Sequence, residues 1–207
     1  MQISHLLLIG NGEEVSPRLV KKLSQQADYI LAADGGADKA LHAGITPDGI
    51  IGDLDSVSMR IKKQLAKQLI SVFTQENTDL EKALRWAVKH HFSRITLVGF
   101  LGGRWDFSIG NLLALAKWAN KIDIALAGDH WRIVPLVKTT SFGCKPHKRV
   151  SLIPLKTCSD VTVTGMAYPL THARLTLGIT RTLSNQTMGS EFSVGLKRGA
   201  LLVYYEV

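Results

Sequence analysis

The chain has 207 residues, is 45% hydrophobic and 20% charged, and carries a formal net charge of +8. That length suits one large domain or a medium domain with a small one, and the balance is that of a globular chain able to bury a core, not of a disordered or fibrous one. The longest apolar runs, such as "LLLI" and "ALLV", fall far short of a bilayer span, so no membrane partner is expected. The start "MQISHLLLIGNG" has neither a basic leading region nor a long apolar stretch, and it is read as no secretory signal. Two cysteines, Cys144 and Cys158, make neither a disulfide framework nor a metal-ligand spacing; a reducing cytoplasm is the expected compartment. The basic residues are scattered, and no basic run is interleaved with aromatics. Nucleic acid is therefore not expected as a partner, whereas a polyanionic substrate fits the charge.

Taken in chain order, the first 130 residues alternate short strand-like runs with helical patterns. "HLLLIG" (5–10) predicts a strand, and a helix opens near Pro17, where proline suits a first turn. "DYILAAD" (28–34) predicts a second strand, followed by a short helix stopped at Gly44. "GIIGD" (49–53) predicts a third strand, 58–69 a helix by its apolar spacing, and "ISVF" (70–73) a fourth strand. The clearest helix is 78–91, with Leu80, Ala83, Leu84, Ala87 and Val88 on one face. A strand at 94–100, a helix at 109–120 and a strand at 122–128 complete the series. Such alternation predicts a parallel sheet covered by helices on both faces, with its sites beyond the carboxyl ends of the strands.

After about residue 131 the runs become short, often alternating, and separated by Gly, Pro, Ser and Asn; no helix is expected there. The expected architecture is an α/β domain over residues 1–132 followed by a small all-β sandwich over 133–207.

The residues that follow each predicted strand of the first half all fall on one rim. They are Gly10-Asn11-Gly12, Asp34-Gly35-Gly36, Asp53 with Asp55, Thr78-Asp79, and Gly102-Gly103-Arg104 with Asp106. In extended chain, residues i and i+2 point the same way, so Asp53 and Asp55 would repel each other unless a cation sits between them. Mg²⁺ suits such a pair, since it takes hard oxygen ligands and binds carboxylates together with substrate phosphates. The alternative is a turn in which Asp and Ser cap backbone amides. Asp79 has its own alternative, because Thr78 and Glu81 form a capping-box pattern in which an early acid favours the helix dipole. Gly102-Gly103-Arg104 is either a plain loop or an anion cradle with a forked guanidinium. Neither a G-x-x-x-x-G-K-[ST] nor a G-x-G-x-x-G motif is present. Paired acids and a Gly/Arg element together point to a Mg²⁺-dependent enzyme acting on a nucleoside polyphosphate.

Four blocks then carry a resemblance: "AADGGADKALHAGITPDGIIGDLDS", "NTDLEKAL", "GGRWDFSIGNLLAL" and "LSNQTMGSEFSVGLKRGALLV". Together they resemble the thiamine pyrophosphokinase family. The resemblance implies pyrophosphoryl transfer from ATP to the hydroxyethyl oxygen of thiamine, giving thiamine diphosphate and AMP. It also implies an α/β catalytic domain, a β-sandwich thiamine-binding domain, and a homodimer with active sites between the catalytic domain of one chain and the β domain of the other. By the same resemblance Asp34, Asp53, Asp55 and Asp79 match the acids that hold Mg²⁺ and the polyphosphate, with Asp53, Asp55 and Asp79 as metal and catalytic positions. Gly35, Gly102, Gly103, Arg104, Asp106 and Asn111 match the ATP-binding elements, and Ser184 and Asn185 the thiamine site. The chain departs from the pattern at Phe107, where bacterial members usually carry histidine, and at Asn77, where many carry lysine. Two other readings stay open: a sister diphosphokinase with another alcohol acceptor, and a non-catalytic nucleotide or thiamine sensor of the same fold.

Overall fold

The computed structural model describes residues 4–13, 16–73 and 76–207. By its contacts the chain divides into two compact units, one of residues 1–114 with 121–129, the other of residues 115–120 with 130–207.

The first unit runs β1 (His5–Ile9), α1 (Pro17–Ser24), β2 (Tyr29–Ala33), α2 (Gly36–His42), β3 (Gly49–Gly52), α3 (Met59–Gln64), β4 (Leu69–Ser71), α4 (Asp79–Lys89), β5 (Arg94–Val98), α5 (Trp105–Trp118, counted with the second unit from Leu115 on) and β6 (Asp123–Ala127). Its strands lie in the order β6-β5-β1-β2-β3-β4, and every adjacent pair is parallel. Parallel strands are covered on both faces, which is why "LLLI" and "GIIG" are apolar throughout rather than alternating. Leu7 and Ile9 pack against Leu19, Val20 and Leu23 of α1 and Ala40 of α2. The neighbouring Leu6 and Leu8, equally buried, point to the opposite face. The chain steps outward from β1 to β4, then returns to β5 on the far side of β1. Right-handed crossovers therefore place α4 on the face opposite α1–α3, and it packs on β2 and β3. The order reverses between β1 and β5, and a crevice opens at their carboxyl ends.

Side-chain caps set where the helices begin. The hydroxyls of Ser16, Ser58 and Thr78 accept from the backbone N–H of Leu19, Ile61 and Glu81 at 3.1, 3.4 and 3.3 Å. Two elements differ from the sequence expectation. The helix expected over 58–69 stops at Gln64, because Leu65 leaves helical geometry (φ −116, ψ 34) to bury its side chain, and a 3-10 turn over Ala66–Gln68 delivers the chain to β4. The helix expected from 109 begins at Trp105. Its first turn closes through Ser108 N–H to the Arg104 carbonyl at 3.1 Å, so Asp106 lies on the helix and not in the preceding loop.

The second unit contains β7 (Trp131–Leu136), β8 (Thr140–Gly143), β9 (Arg149–Pro154), β10 (Cys158–Thr164), β11 (Leu170–Leu175), β12 (Asn185–Gln186), β13 (Glu191–Gly195) and β14 (Leu201–Glu206). Two antiparallel sheets, β12-β9-β14-β7 and β11-β10-β13-β8, face each other. The residues between them include Val150, Leu152, Val161, Val163, Phe192, Val194, Leu201 and Val203. This is a β-sandwich, built on the alternation visible in "DVTVTGM" and "RVSLIPL". Both cysteines are free.

Candidate active site

A cavity of about 500 Å³ opens at the carboxyl ends of the first unit's strands. It is lined by Gly10–Glu13 after β1, Asp34 and Gly35 after β2, Ser56 after β3, Thr78 and Asp79 at the start of α4, and Gly99, Phe100, Gly102, Gly103, Arg104, Phe107 and Asn111 around the start of α5; Asp53, Asp55 and Asp106 lie outside this lining. Its floor depends on close backbone approach. A Cβ on Gly12 would stand 2.3 Å from the Leu101 carbonyl oxygen, and one on Gly10 would stand 2.5 Å from that of Gly99. Only glycine lets the ends of β1 and β5 run this near each other.

One wall is acidic. Asp34 is almost fully buried, in left-handed backbone (φ 46), with its N–H donating to the Ile51 carbonyl at 2.9 Å. Carboxylate oxygens of Asp34, Asp53 and Asp55 lie within 4.8 Å of one another. The route to that convergence is not the expected pleat. Leu54 between the two acids is buried and left-handed (φ 67), and the Asp55 N–H donates to Asp53 Oδ1 at 3.3 Å. The acids thus sit on a turn anchored by an apolar residue, so the turn alternative and the acid cluster are one object. A bulky side chain held at positive φ is strained, and strain of this kind gathers at functional sites.

Burial raises the Asp34 carboxyl above the ordinary range. The nearby Ser56 hydroxyl opposes the shift, and the charges of Asp79, Asp55 and Asp53 add to it. The Ser56 hydroxyl, donating to Asp55 Oδ1 at 3.0 Å, leads the causes that lower Asp55. Asp34 Oδ1 is buried without a hydrogen-bond partner among the described residues. An orphaned carboxylate oxygen in an all-oxygen donor set is the environment a hard divalent cation completes.

Asp79 stands apart from that trio. Its Oδ1 accepts from the buried Lys82 Nζ at 2.9 Å, and the same ammonium lies 3.9 Å from Asp53 Oδ2. Sequence reasoning missed Lys82. The available signal was a lysine three residues after Asp79 on a helix, a spacing at which side chains meet.

The other wall carries glycines and Arg104. Gly102 and Gly103 both adopt left-handed backbone (φ 84 and 69), which turns the chain from β5 into α5. The Gly102 N–H already donates to Ser108 Oγ at 3.0 Å, so that amide belongs to the helix start. Arg104 Nε donates to Asp106 Oδ1 at 3.2 Å and Nη2 to Oδ2 at 2.5 Å. The guanidinium, hydrogen-bonded to Asp106, lowers that carboxyl below the usual range. Phe107 lies under the same guanidinium, 4.4 Å from ring centroid to Cζ. Asn111 is buried and donates to the Phe100 carbonyl at 2.8 Å, which fixes the loop after β5. Asn77 accepts from Arg85 Nη2 at 3.3 Å.

Ser184 and Asn185 belong to the second unit. Ser184 is left-handed (φ 59), and its N–H donates to Ser151 Oγ at 3.0 Å. The Asn185 amide clamps a neighbouring loop. Its Oδ1 accepts from the N–H groups of Tyr168 and Gln186 at 3.0 and 2.8 Å, and its Nδ2 donates to the Tyr168 carbonyl at 2.7 Å. Asn185 therefore shapes the loop that presents Ser184 and Tyr168.

Comparison with known proteins gives two family-model matches, described as "Thiamin pyrophosphokinase, catalytic domain" over residues 20–126 and "Thiamin pyrophosphokinase, vitamin B1 binding domain" over residues 139–201. The chain is 27% identical over 205 residues to thiamine pyrophosphokinase of Bacillus subtilis, with 95% of each chain covered. The crystal structure of thiamine pyrophosphokinase from Bacillus subtilis superposes with a TM-score of 0.87 at 26% identity, covering 99% of both chains. That from Geobacillus thermodenitrificans superposes with a TM-score of 0.85 at 25% identity, covering 98% of this chain and 97% of that one.

Proposed function

The chain belongs to the thiamine pyrophosphokinase family, and we propose that its rim cavity moves the pyrophosphoryl group of ATP onto the hydroxyethyl oxygen of thiamine. The observation that carries this reading is one cavity with two chemically opposite walls. Asp79 and Asp34, whose buried oxygen is orphaned and which has Asp53 and Asp55 beside it, form the first, and a guanidinium set among glycines forms the second.

Asp34, Asp53 and Asp55 would hold Mg²⁺, with Asp79 at the edge of the group. When bound, the cation supplies charge neutralisation to the phosphates. Arg104 leaves its exposed pairing with Asp106 to meet phosphate oxygens with its fork, while Phe107 keeps the guanidinium plane oriented. Gly35, at the head of α2, and Gly103 let the polyphosphate lie close to backbone. Ser184 and the Tyr168 loop held by Asn185 receive thiamine. The thiamine hydroxyl oxygen bonds to the β-phosphorus in line, and the bond from that phosphorus to the bridging oxygen of AMP breaks. The hydroxyl proton passes to a rim carboxylate, Asp55 or Asp79.

The family resemblance also supports a homodimer. Trp105, Ile109 and Leu113 form an exposed apolar stripe on α5 at helical spacing, a face that a second copy would cover. Free thiols suit the cytoplasm as compartment. Among the described residues no helix is long and apolar enough to cross a membrane.

The deciding experiment measures AMP release from ATP and Mg²⁺ with and without thiamine, with the product identified by mass. Thiamine-dependent AMP together with thiamine diphosphate is the expected result. ATP binding without AMP, or AMP only with another alcohol, overturns it in favour of a sensor or a sister kinase.

A further inference from the structure

Two groups in the cavity lining have no use for phosphate. Phe107 offers a ring face and no hydrogen bond, and the Glu13 carboxylate repels a polyanion. Glu13 also stands outside the converging trio of Asp34, Asp53 and Asp55. The two groups share one end of the cavity. A Cβ on Gly103 would lie 3.4 Å from Glu13 Oε1, and Phe107 lies under the guanidinium of the next residue, Arg104. The strand order β5-β1-β2-β3 gives this end its place: Glu13 follows β1 and Phe107 follows β5, whereas Asp34 follows β2 and the Asp53–Asp55 turn follows β3. The other large apolar side chains of the lining, Leu80 and Phe100, are buried, whereas Phe107 is 47% exposed. Arg104 covers one face of that ring, so its exposure belongs to the opposite face and the edge.

We propose that this end is the nucleoside subsite: Phe107 is the platform on which the base stacks, and the Glu13 carboxylate accepts from the ribose hydroxyls. This rests on reading the cavity as a pyrophosphoryl-transfer site. A nucleoside has the two features that the end complements, a flat ring for an aromatic face and a pair of hydroxyl donors for a carboxylate. Its polyphosphate then runs past Arg104 toward the acids after β2 and β3. Phenylalanine reads no base edge, because stacking follows ring area and not the pattern of donors and acceptors. The subsite therefore selects purine over pyrimidine nucleoside triphosphates and separates adenine from guanine weakly.

The test measures calorimetric binding of ATP, GTP, CTP, 2′,3′-dideoxy-ATP and inorganic tripolyphosphate to the full chain with Mg²⁺ and without thiamine. Wild type, Phe107→Leu, Phe107→Trp and Glu13→Ala are compared, each checked for folding by thermal unfolding. Phe107→Leu keeps an apolar side chain but loses the ring face, so ATP should bind on the order of tenfold more weakly. Tripolyphosphate, which has no base, should stay within about twofold of wild type, and Phe107→Trp should restore ATP. Wild type should prefer ATP to dideoxy-ATP, and Glu13→Ala should abolish that preference. Equal weakening of ATP and tripolyphosphate in Phe107→Leu overturns the proposal, because Phe107 would then act only through Arg104 on phosphate. ATP binding unchanged in Phe107→Leu overturns it too, as does a preference for ATP over dideoxy-ATP that survives Glu13→Ala. If Phe107→Leu does not fold, wild type carries the test, since CTP bound as tightly as ATP and GTP overturns the stacking platform. A wild type that binds neither ATP nor tripolyphosphate overturns the pyrophosphoryl-transfer reading itself, an outcome distinct from all of these.

Discussion

The two walls of the cavity hold charge by different means. On the acidic wall the groups are fixed by the fold: Asp34 is buried, Leu54 anchors the turn between Asp53 and Asp55, and Lys82 is held under Asp79. On the arginine wall the charge is exposed, and Arg104 is occupied with Asp106 over the Phe107 ring. The first wall stores like charges at close range and is complete only with a counter-charge. The second is satisfied by itself and must exchange one anion for another when a ligand arrives. A phosphate-handling site thus combines a preorganised half with an adaptable half.

Substitutions that separate the walls sharpen this contrast. The largest effect is expected for Asp53→Asn, which removes a converging carboxylate and a partner of Lys82. Thiamine-dependent AMP release should drop by roughly a thousandfold or more, and raising Mg²⁺ should not restore it. A near-normal rate with ordinary Mg²⁺ dependence would put the cation elsewhere. Next comes Arg104→Ala on the adaptable wall. Its cost should appear in the KM for ATP, on the order of tenfold, with kcat changed less, because one charge-assisted contact is lost and the acidic wall is untouched. If kcat fell as far as in Asp53→Asn, the arginine wall would be as preorganised as its counterpart. The smallest effect has the opposite sign and is on stability. Burial raises the Asp34 carboxyl above its unfolded value, so its stabilising contribution is present below the ordinary carboxylate pKa and is lost as pH rises through the higher folded value. Metal-free wild type should therefore gain stability on acidification from neutral pH. Asp34→Asn should melt a few degrees higher than wild type at neutral pH, show less of that gain, and lose Mg²⁺-induced stabilisation. Unfolding scans from neutral pH down through the ordinary carboxylate range, with and without Mg²⁺, check all three points.

The strand-end pattern makes most of the rim readable in the sequence, because apolar runs and their punctuation mark where parallel strands stop. Side-chain count and period do not encode the sign of φ, so the left-handed Leu54 is hidden in the sequence, which leaves the pleat and the turn both open for the acids. Lys82 was hidden for a related reason. Beside the apolar face of α4 it looks like an ordinary solvent-facing lysine, and only the packing of α4 on β2 and β3 brings it to Asp53. The early start of α5 was missed because Ser108, which takes the Gly102 amide, reads as an unremarkable polar residue inside a helix. Phe107, a departure from the family pattern, acquires a role only once Arg104 is seen above it.

Leu54 has one more consequence. Its side chain belongs to the same cluster as Ala32, Ala37, Ile50, Val57, Ile61 and Leu65, so the loop bearing Asp53 and Asp55 is riveted to the hydrophobic interior rather than draped over it. Heat or denaturant that loosens this small cluster releases the carboxylates at the same moment. Inactivation should then coincide with melting of the α3 region and need not await collapse of the whole sheet, which makes catalytic half-life a direct gauge of how well seven buried side chains stay packed.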